Sequence, residues 1–339
     1  MKAIILAGGR GTRYWPLSVQ RKPKQFTNLH SYKTMIQETY DRFRKWLPME
    51  NIYVVTTKEY YSLVTEQLPE LNEQQIIIEP EPKDTGPCVA LTAIHFLKQN
   101  DDEVLVMAPS DQYISDGDAL MEYLLVAEKV AQKGTSIVTL GVTPNRPETG
   151  YGYIEGMKDG MNEGEVLRVK SFIEKPSLDK AEKLLQMENI FWNSGIFIWK
   201  PSTIAYYMQK NQQTIWKMLN ENQWEERYSQ LPKISVDYAI LEHAEDVYTL
   251  PVTFEWDDLG SWNSLERILQ VDKEGNLLLG DVHSSFTQNC TILSKNRKTL
   301  VIGAENLIIV VTDDGVLVCD KSKENEIKKF VQKFSDDKM

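Results

Sequence analysis

Cysteine is scarce here: Cys88, Cys290 and Cys319 are the only three, odd in number and scattered. That excludes a disulfide framework and a paired zinc spacing, and it sets the expectation of a reducing, cytoplasmic compartment. The four histidines, His30, His95, His243 and His283, form no metal spacing and no triad with a nucleophile. Long apolar runs are also missing. The opening MKAIILAGGRG has an apolar stretch of five residues before two glycines, too short for a signal peptide. No later segment approaches the ~20 residues of a membrane span. Basic residues are the minority, and the net charge of −11 argues against nucleic acid or an anionic membrane as a bulk partner. With 42% hydrophobic and 26% charged residues, the remaining class is an ordinary soluble globular protein of two domains.

The distribution of charge says more than its total. From Met1 to Gln37 there are seven cations (Lys2, Arg10, Arg13, Arg21, Lys22, Lys24 and Lys33) and no acid. A basic island on an acidic protein is a place to hold a small polyanion.

Hydrophobic patterning alternates from the first residue. Lys2–Ala7, Ile52–Thr56, Gln75–Glu79, Val104–Ala108 and Thr135–Gly141 read as strands. Between them Thr34–Leu47, Tyr60–Leu68, Pro87–Lys98 and Ala119–Gln132 read as helices. That order predicts an α/β fold with a doubly wound parallel sheet, whose ligands sit at the carboxyl ends of the strands. Beyond Asp272 the pattern changes to short strands: Leu277–Leu279, Thr291–Leu293, Thr299–Ile302, Leu307–Val311 and Val316–Cys319. A helix from Lys323 ends the chain, with Ile327, Phe330, Val331 and Phe334 on one face that must bury against something. The boundary falls near Val271, giving domains 1–270 and 271–339.

Leu6-Ala7-Gly8-Gly9-Arg10-Gly11-Thr12-Arg13 follows the first strand directly. Glycines let backbone approach a ligand, and turn amides facing one way make an anion nest. The run is no Rossmann fingerprint, because the third glycine would fall at Tyr14, and no P-loop, because no Gly-Lys-Ser/Thr follows. Arg13 and Lys24 set cations beside the nest. Asp111 follows the strand Val104–Ala108, so its carboxylate sits at the strand's carboxyl end, where a nucleotide would lie. Asp116-Gly117-Asp118 has the form of a metal motif, but it opens a helix and reads as a cap.

The glycine loop, Trp15-Pro16-Leu17-Ser18 and Pro23-Lys24-Gln25-Phe26 resemble the signature of sugar nucleotidyltransferases, and of the mannose-1-phosphate guanylyltransferases in particular. The resemblance continues in order through Glu79-Pro80, Asp84-Thr85-Gly86-Pro87, Pro109-Ser110-Asp111, Thr149–Tyr153, Phe172–Pro176, Trp192–Gly195, Ser235–Ala239 and Trp256–Trp262. It implies a Rossmann-like catalytic domain with a mixed, mainly parallel sheet, then a short left-handed β-helix-like domain with a terminal helix. It implies nucleotide contacts from Leu6, Ala7, Gly8, Gly9, Gly11, Thr12, Arg13, Lys24, Glu79, Pro80, Thr85, Gly86, Ser110 and Asp111. Sugar phosphate would be held by Gly150, Tyr151, Glu174, Lys175, Asn193 and Asp258, and Mg²⁺ by Asp111 and Asp258, the family spacing favouring Asp258 over Asp257. Arg13, Lys24, Asp111, Lys175 and Asp258 would carry catalysis. The implied reaction joins GTP to mannose 1-phosphate, giving GDP-mannose and pyrophosphate, in a homodimer. The nearest alternatives are a uridylyl- or thymidylyltransferase, or a regulator that only binds GDP-mannose. Two departures stand out: Ile173 separates Phe172 from Glu174, and Gln112 stands where many relatives carry His.

No general base is needed for such chemistry. A phosphate monoester has a second pKa near 6, so near neutral pH it is largely dianionic and can itself attack phosphorus. Catalysis then reduces to alignment and charge neutralisation.

Overall fold

A computed structural model describes residues 1–9, 11–157 and 166–336, with the side chains of Thr12 and of 334–336 outside the description. In chain order the first strands are β1 Lys2–Leu6, β2 Ile52–Thr57, β3 Ile76–Glu79, β4 Leu105–Pro109 and the two-residue β5 Tyr113–Ile114. There follow β6 Ile137–Val142, β7 Tyr153–Gly156, β8 Leu167–Ile173, β9 Ile190–Trp199, β10 Val247–Val252 and the two-residue β11 Trp256–Asp257. Nine of them make one mixed sheet in the order β3-β2-β1-β4-β9-β6-β10-β8-β7. The parallel part is β3-β2-β1-β4 together with the β6–β10 pair, while β9 runs antiparallel between β4 and β6.

Strands β1, β4 and β6 are buried along nearly their whole length, so they read as unbroken apolar runs. The helix Thr85–Leu97 is buried all round and passes through the core formed with Ile4, Phe197, Trp199 and Leu219. It starts two residues before the expected Pro87, because the Asp84 side chain accepts from the Thr85 amide and caps it there. Proline is tolerated anywhere in that first turn, where its missing N–H has no intrahelical partner. Asp116 likewise accepts from the amides of Asp118 and Ala119, so the Asp-Gly-Asp run is a helix cap.

Packing divides the chain into two compact units that do not follow chain order. One comprises Met1–Gly8, Tyr40–Ser110 and Ile114–Trp256; the other comprises Gly9–Thr39, Asp111–Tyr113 and Asp257–Met339. The change of pattern near Val271 therefore lies inside the second unit, since Tyr14, Leu17, Leu259, Trp262 and Leu265 share one core with Leu277, Leu293, Ile308 and Val310.

In that unit β12 Leu277–Ser285, β13 Thr291–Ile302 and β14 Leu307–Thr312 are parallel, and β15 Gly315–Asp320 returns antiparallel to β14. The segments Thr291–Leu293 and Thr299–Ile302, expected as separate strands, are the two ends of β13, which pairs with β12 on both sides of an irregularity at Gly280–Val282. Gly280 sits at φ +91°, and a Cβ there would meet the Ser294 carbonyl oxygen at 2.0 Å, so only glycine allows that corner. The α-helix at the end runs from Ile327, preceded by a 3₁₀ stretch Lys321–Glu326, rather than starting at Lys323. Ile327 and Val331 pack on the unit's own core, while Phe330 is 57% exposed. Phe334 falls outside the described side chains.

Candidate active site

In the second unit the glycine loop is fixed by what glycine alone permits. Gly11 stands at φ +52°, and a Cβ there would come within 2.6 Å of the Lys24 Cβ and 2.9 Å of its backbone nitrogen. The loop carbonyls are held as well: Gln25 donates to Gly9 at 2.8 Å, and the Ser18 hydroxyl donates to Gly11. Thr12 begins a 3₁₀ turn through Tyr14, whose buried ring packs edge-on against Trp262 and whose hydroxyl meets Ser264 at 2.9 Å. Arg13 stays exposed and reaches the Gly260 carbonyl at 3.3 Å.

Lys24 is the centre of this arrangement. It is buried, and its ammonium donates to the Asp111 carbonyl at 2.9 Å, the Asp111 carboxylate at 2.9 Å and the Asp258 carbonyl at 2.7 Å. Those three acceptors match its three protons. The lysine thus draws Asp111 and Asp258 together, where sequence had given it only a phosphate to grip. Asp258 Oδ1 also accepts from the Gly260 amide, and a Cβ on Gly260 would lie 2.6 Å from Asp258 Oδ2.

Asp257 and Asp258 differ in their contacts. Asp257 is buried, and its two oxygens take a fork of bonds from Arg267 at 2.6 and 2.9 Å, one of them also accepting the Leu259 amide. It is a structural carboxylate. The same loop holds Leu259 at φ +46° although the residue is fully buried, a strained conformation for a γ-branched side chain. Arg267 carried no sequence signal, since it lies on the next helix, ten positions away.

Mg²⁺ ordinarily takes only one or two carboxylates, completing its shell with phosphate oxygens and water, and two acids flank the lysine here: Asp111 through its carboxylate and Asp258 through its main-chain carbonyl.

C-terminal strands brace this loop region from within the same unit. Thr312 donates to the Pro16 carbonyl at 3.4 Å, Asp314 pairs with Arg21, and a Cβ on Gly315 would meet the Trp15 ring at 2.9 Å. Glu266 is gripped by Lys321 and by the Thr291 hydroxyl.

In the first unit, Leu6, Ala7 and Gly8 continue β1. The Leu6 carbonyl accepts both the Ser110 amide and its hydroxyl, and Ala7 is tied on either side to β2. Glu79, at the end of β3 and followed by Pro80, is the nearest group to Gly8: a Cβ on that glycine would be 3.5 Å from its Oε2. The carboxyl is 5% exposed and accepts from the Tyr228 hydroxyl at 2.6 Å. Burial pushes its pKa up to about 7, against the opposing pull of the Tyr228 and Cys88 hydrogen bonds. Thr85 and Gly86 are tied to the Ile234–Val236 backbone. The Thr85 hydroxyl accepts from the Val236 amide at 2.8 Å, and the Gly86 amide donates to the Ile234 carbonyl at 2.9 Å.

A second group of polar side chains in this unit gathers at Gly152. A Cβ there would fall 2.8 Å from Glu174 Oε2 and 3.6 Å from the Asn193 Cβ, so glycine keeps a notch open beside both. Lys175 pairs with Glu174, stands 61% exposed, and is held at φ +40° in front of Pro176. Strain of that kind persists only where the surroundings impose it. Asn193 donates to Asp237 at 3.3 Å. Gly150 donates its amide to Glu148, while the Tyr151 ring is buried edge-on against Trp192 and Trp256, with Arg146 bonding its hydroxyl at 3.2 Å. Tyr151 is thus a wall more than a reaching group. The Ser235–Ala239 segment stands out in the sequence, but nothing there marks Asp237 as one of the contacts.

A glycine loop after a first parallel strand, with a buried lysine tied to two acids, defines an α/β nucleotide-handling protein. Residues 2–275 match the family model described as nucleotidyl transferase, and residues 286–334 match the MannoseP isomerase/GMP-like beta-helix domain. The chain belongs to the nucleotidyl transferase family. It is similar to the alginate biosynthesis protein AlgA of Pseudomonas putida, 34% identical over 98% of this chain and 71% of that protein. The mannose-1-phosphate guanylyltransferase of Klebsiella pneumoniae is 34% identical over 97% of this chain and 73% of its own length. A crystal structure described as mannose-1-phosphate geranyltransferase from Thermus thermophilus aligns with a TM-score of 0.90 at 32% identity, covering 98% of this chain and 99% of that one.

Proposed function

We propose that the protein joins GTP to α-D-mannose 1-phosphate, releasing pyrophosphate and forming GDP-mannose. The observation that carries the reading is the Lys24 hub: a buried cation fixed to Asp111 and Asp258 beside the glycine loop and Arg13. Fixed positive charge and loop amides are what a departing pyrophosphate requires, because charge moves onto its oxygens as the α-phosphorus bond breaks. The phosphate monoester oxygen attacks in line with that leaving group and needs no protein base. Arg13 and the loop amides hold the leaving phosphates with the Lys24 ammonium as fixed positive charge beside them, Lys175 holds the incoming monoester, and Glu174 and Asn193 hold the sugar. Mg²⁺, held by Asp111 and Asp258, would neutralise phosphate charge when bound.

Base choice has support from Glu79. A carboxylate is acceptor-only, and guanine alone among the common bases presents two adjacent donors, its N1–H and its N2 amino group. Glu79, buried and oriented by Tyr228, fits that pair once it ionises above its raised pKa of about 7. The similar proteins named for mannose-1-phosphate guanylyl transfer point to the same substrates.

The test is pyrophosphate release over four nucleoside triphosphates and several sugar 1-phosphates. GTP with mannose 1-phosphate should give the highest kcat/KM, and chelation of divalent cations should abolish turnover. Preference for UTP or dTTP with glucose 1-phosphate would overturn the assignment. We place the enzyme in the cytoplasm as a homodimer, which light scattering checks by mass; among the described residues no helix is long and apolar enough to cross a membrane.

A further inference from the structure

Asp237 is an acid that the assigned roles leave unexplained. It lies in the short helix Val236–Ala239, whose position is fixed from outside by the Thr85 hydroxyl on the Val236 amide and the Gly86 amide on the Ile234 carbonyl. A Cβ on Gly86 would come within 2.8 Å of that carbonyl, so the seat cannot shift toward the helix that carries it. The Asn193 side chain is equally constrained. Its Oδ1 accepts from the Thr139 hydroxyl at 3.0 Å and the Gly195 amide at 3.1 Å, which turns Nδ2 toward Asp237 at 3.3 Å.

Glu174 is the second acid of this group. Burial first, and then the Glu174 charge, raise the Asp237 carboxyl to about 6; Lys175, its own amide and the Ser235 hydroxyl pull the other way. Two carboxylates close enough to repel, with one mostly exposed lysine beside them, are costly to the fold unless donors are brought to them. The notch kept open by Gly152 borders Glu174 and Asn193. A ring carrying adjacent hydroxyls supplies such donors, and its oxygens can accept the remaining Asn193 N–H.

We propose that Asp237 is a specificity-determining residue that, with Glu174 and Asn193, reads adjacent ring hydroxyls of the sugar phosphate. This rests on the functional reading above and adds a residue to it.

Asp237→Asn keeps shape and removes charge. A hydrogen bond to a charged group is strong enough that KM for mannose 1-phosphate should rise roughly ten- to a hundredfold, with KM for GTP unchanged. Deoxy analogues of mannose 1-phosphate give the sharper readout. Removing the hydroxyl that Asp237 reads should penalise the wild type and leave Asp237→Asn indifferent, as in a double-mutant cycle. The melting temperature of the variant should equal or exceed that of the wild type, because repulsion with Glu174 is relieved. Asp237→Glu, which keeps the charge but moves it by one methylene, should change the preference among epimeric sugar phosphates. An unchanged mannose 1-phosphate KM in Asp237→Asn, deoxy penalties identical in the two enzymes, or failure of both variants to fold would each overturn the inference. A wild type that releases no pyrophosphate with mannose 1-phosphate would instead bring down the functional reading on which it rests.

Discussion

Arg267→Met should destabilise the protein by about 3 kcal/mol and slow it as well. Removing one partner of a buried ion pair leaves an uncompensated charge, at a cost of about 3–5 kcal/mol. Asp257 is nearly sealed, its side chain 5% exposed, but Arg267 is 32% exposed, and the Leu259 amide would still reach the carboxylate. Both facts favour the lower end of that range. For a unit of this size the loss corresponds to a fall in melting temperature of roughly 10–15 °C by differential scanning calorimetry. The double variant Asp257→Asn with Arg267→Met should recover much of it, because the buried charge is then gone. Turnover should fall in the single variant even where it remains folded, since the same loop carries Asp258 and holds Leu259 at φ +46°. A melting temperature within about 2 °C of the wild type would refute the argument, as would a double variant no more stable than the single one.

Asp258→Asn keeps an oxygen for the Gly260 amide, so it should stay folded yet lose on the order of 10²–10³ in kcat, while Asp257→Asn should show chiefly a stability defect; the reverse pattern in paired kinetics and melting curves would mean the wrong acid was chosen. Lys175→Ala should raise KM for mannose 1-phosphate far more than KM for GTP in initial-rate assays, and an equal rise in both would point to a general folding defect. Glu79→Gln tests the buried acid by pH. Its folded pKa of about 7 exceeds the unfolded value near 4.5, so its contribution to stability is full below about 4.5 and is lost as pH rises through 7. The melting temperature of the variant should therefore gain on the wild type between pH 5 and pH 8, and a pH-independent difference would show that Glu79 is not raised.

Much of the architecture was legible in the sequence because it rests on local physics. Short apolar runs closed by glycine or proline, such as those holding Ala3–Ile5 and Val106–Ala108, suit strands buried on both faces, and Asp116 can cap a helix using atoms two and three residues away. The glycine loop was legible for the same reason, although what Gly11 avoids, the Lys24 backbone, was not. Tertiary structure alone decided how the chemical groups are used. Lys24 spends its protons on residues 87 and 234 positions away, and Asp257 is claimed by an arginine on the following helix, leaving Asp258 as the acid beside the lysine. Asp237 meets Asn193 across 44 positions, and Thr85 and Gly86 serve that junction. Side-chain periodicity encodes which face of an element is buried, but it holds no record of which distant group will complete a donor's valence. That is set only when folding brings the partners within about 3 Å, the length over which a hydrogen bond exists at all.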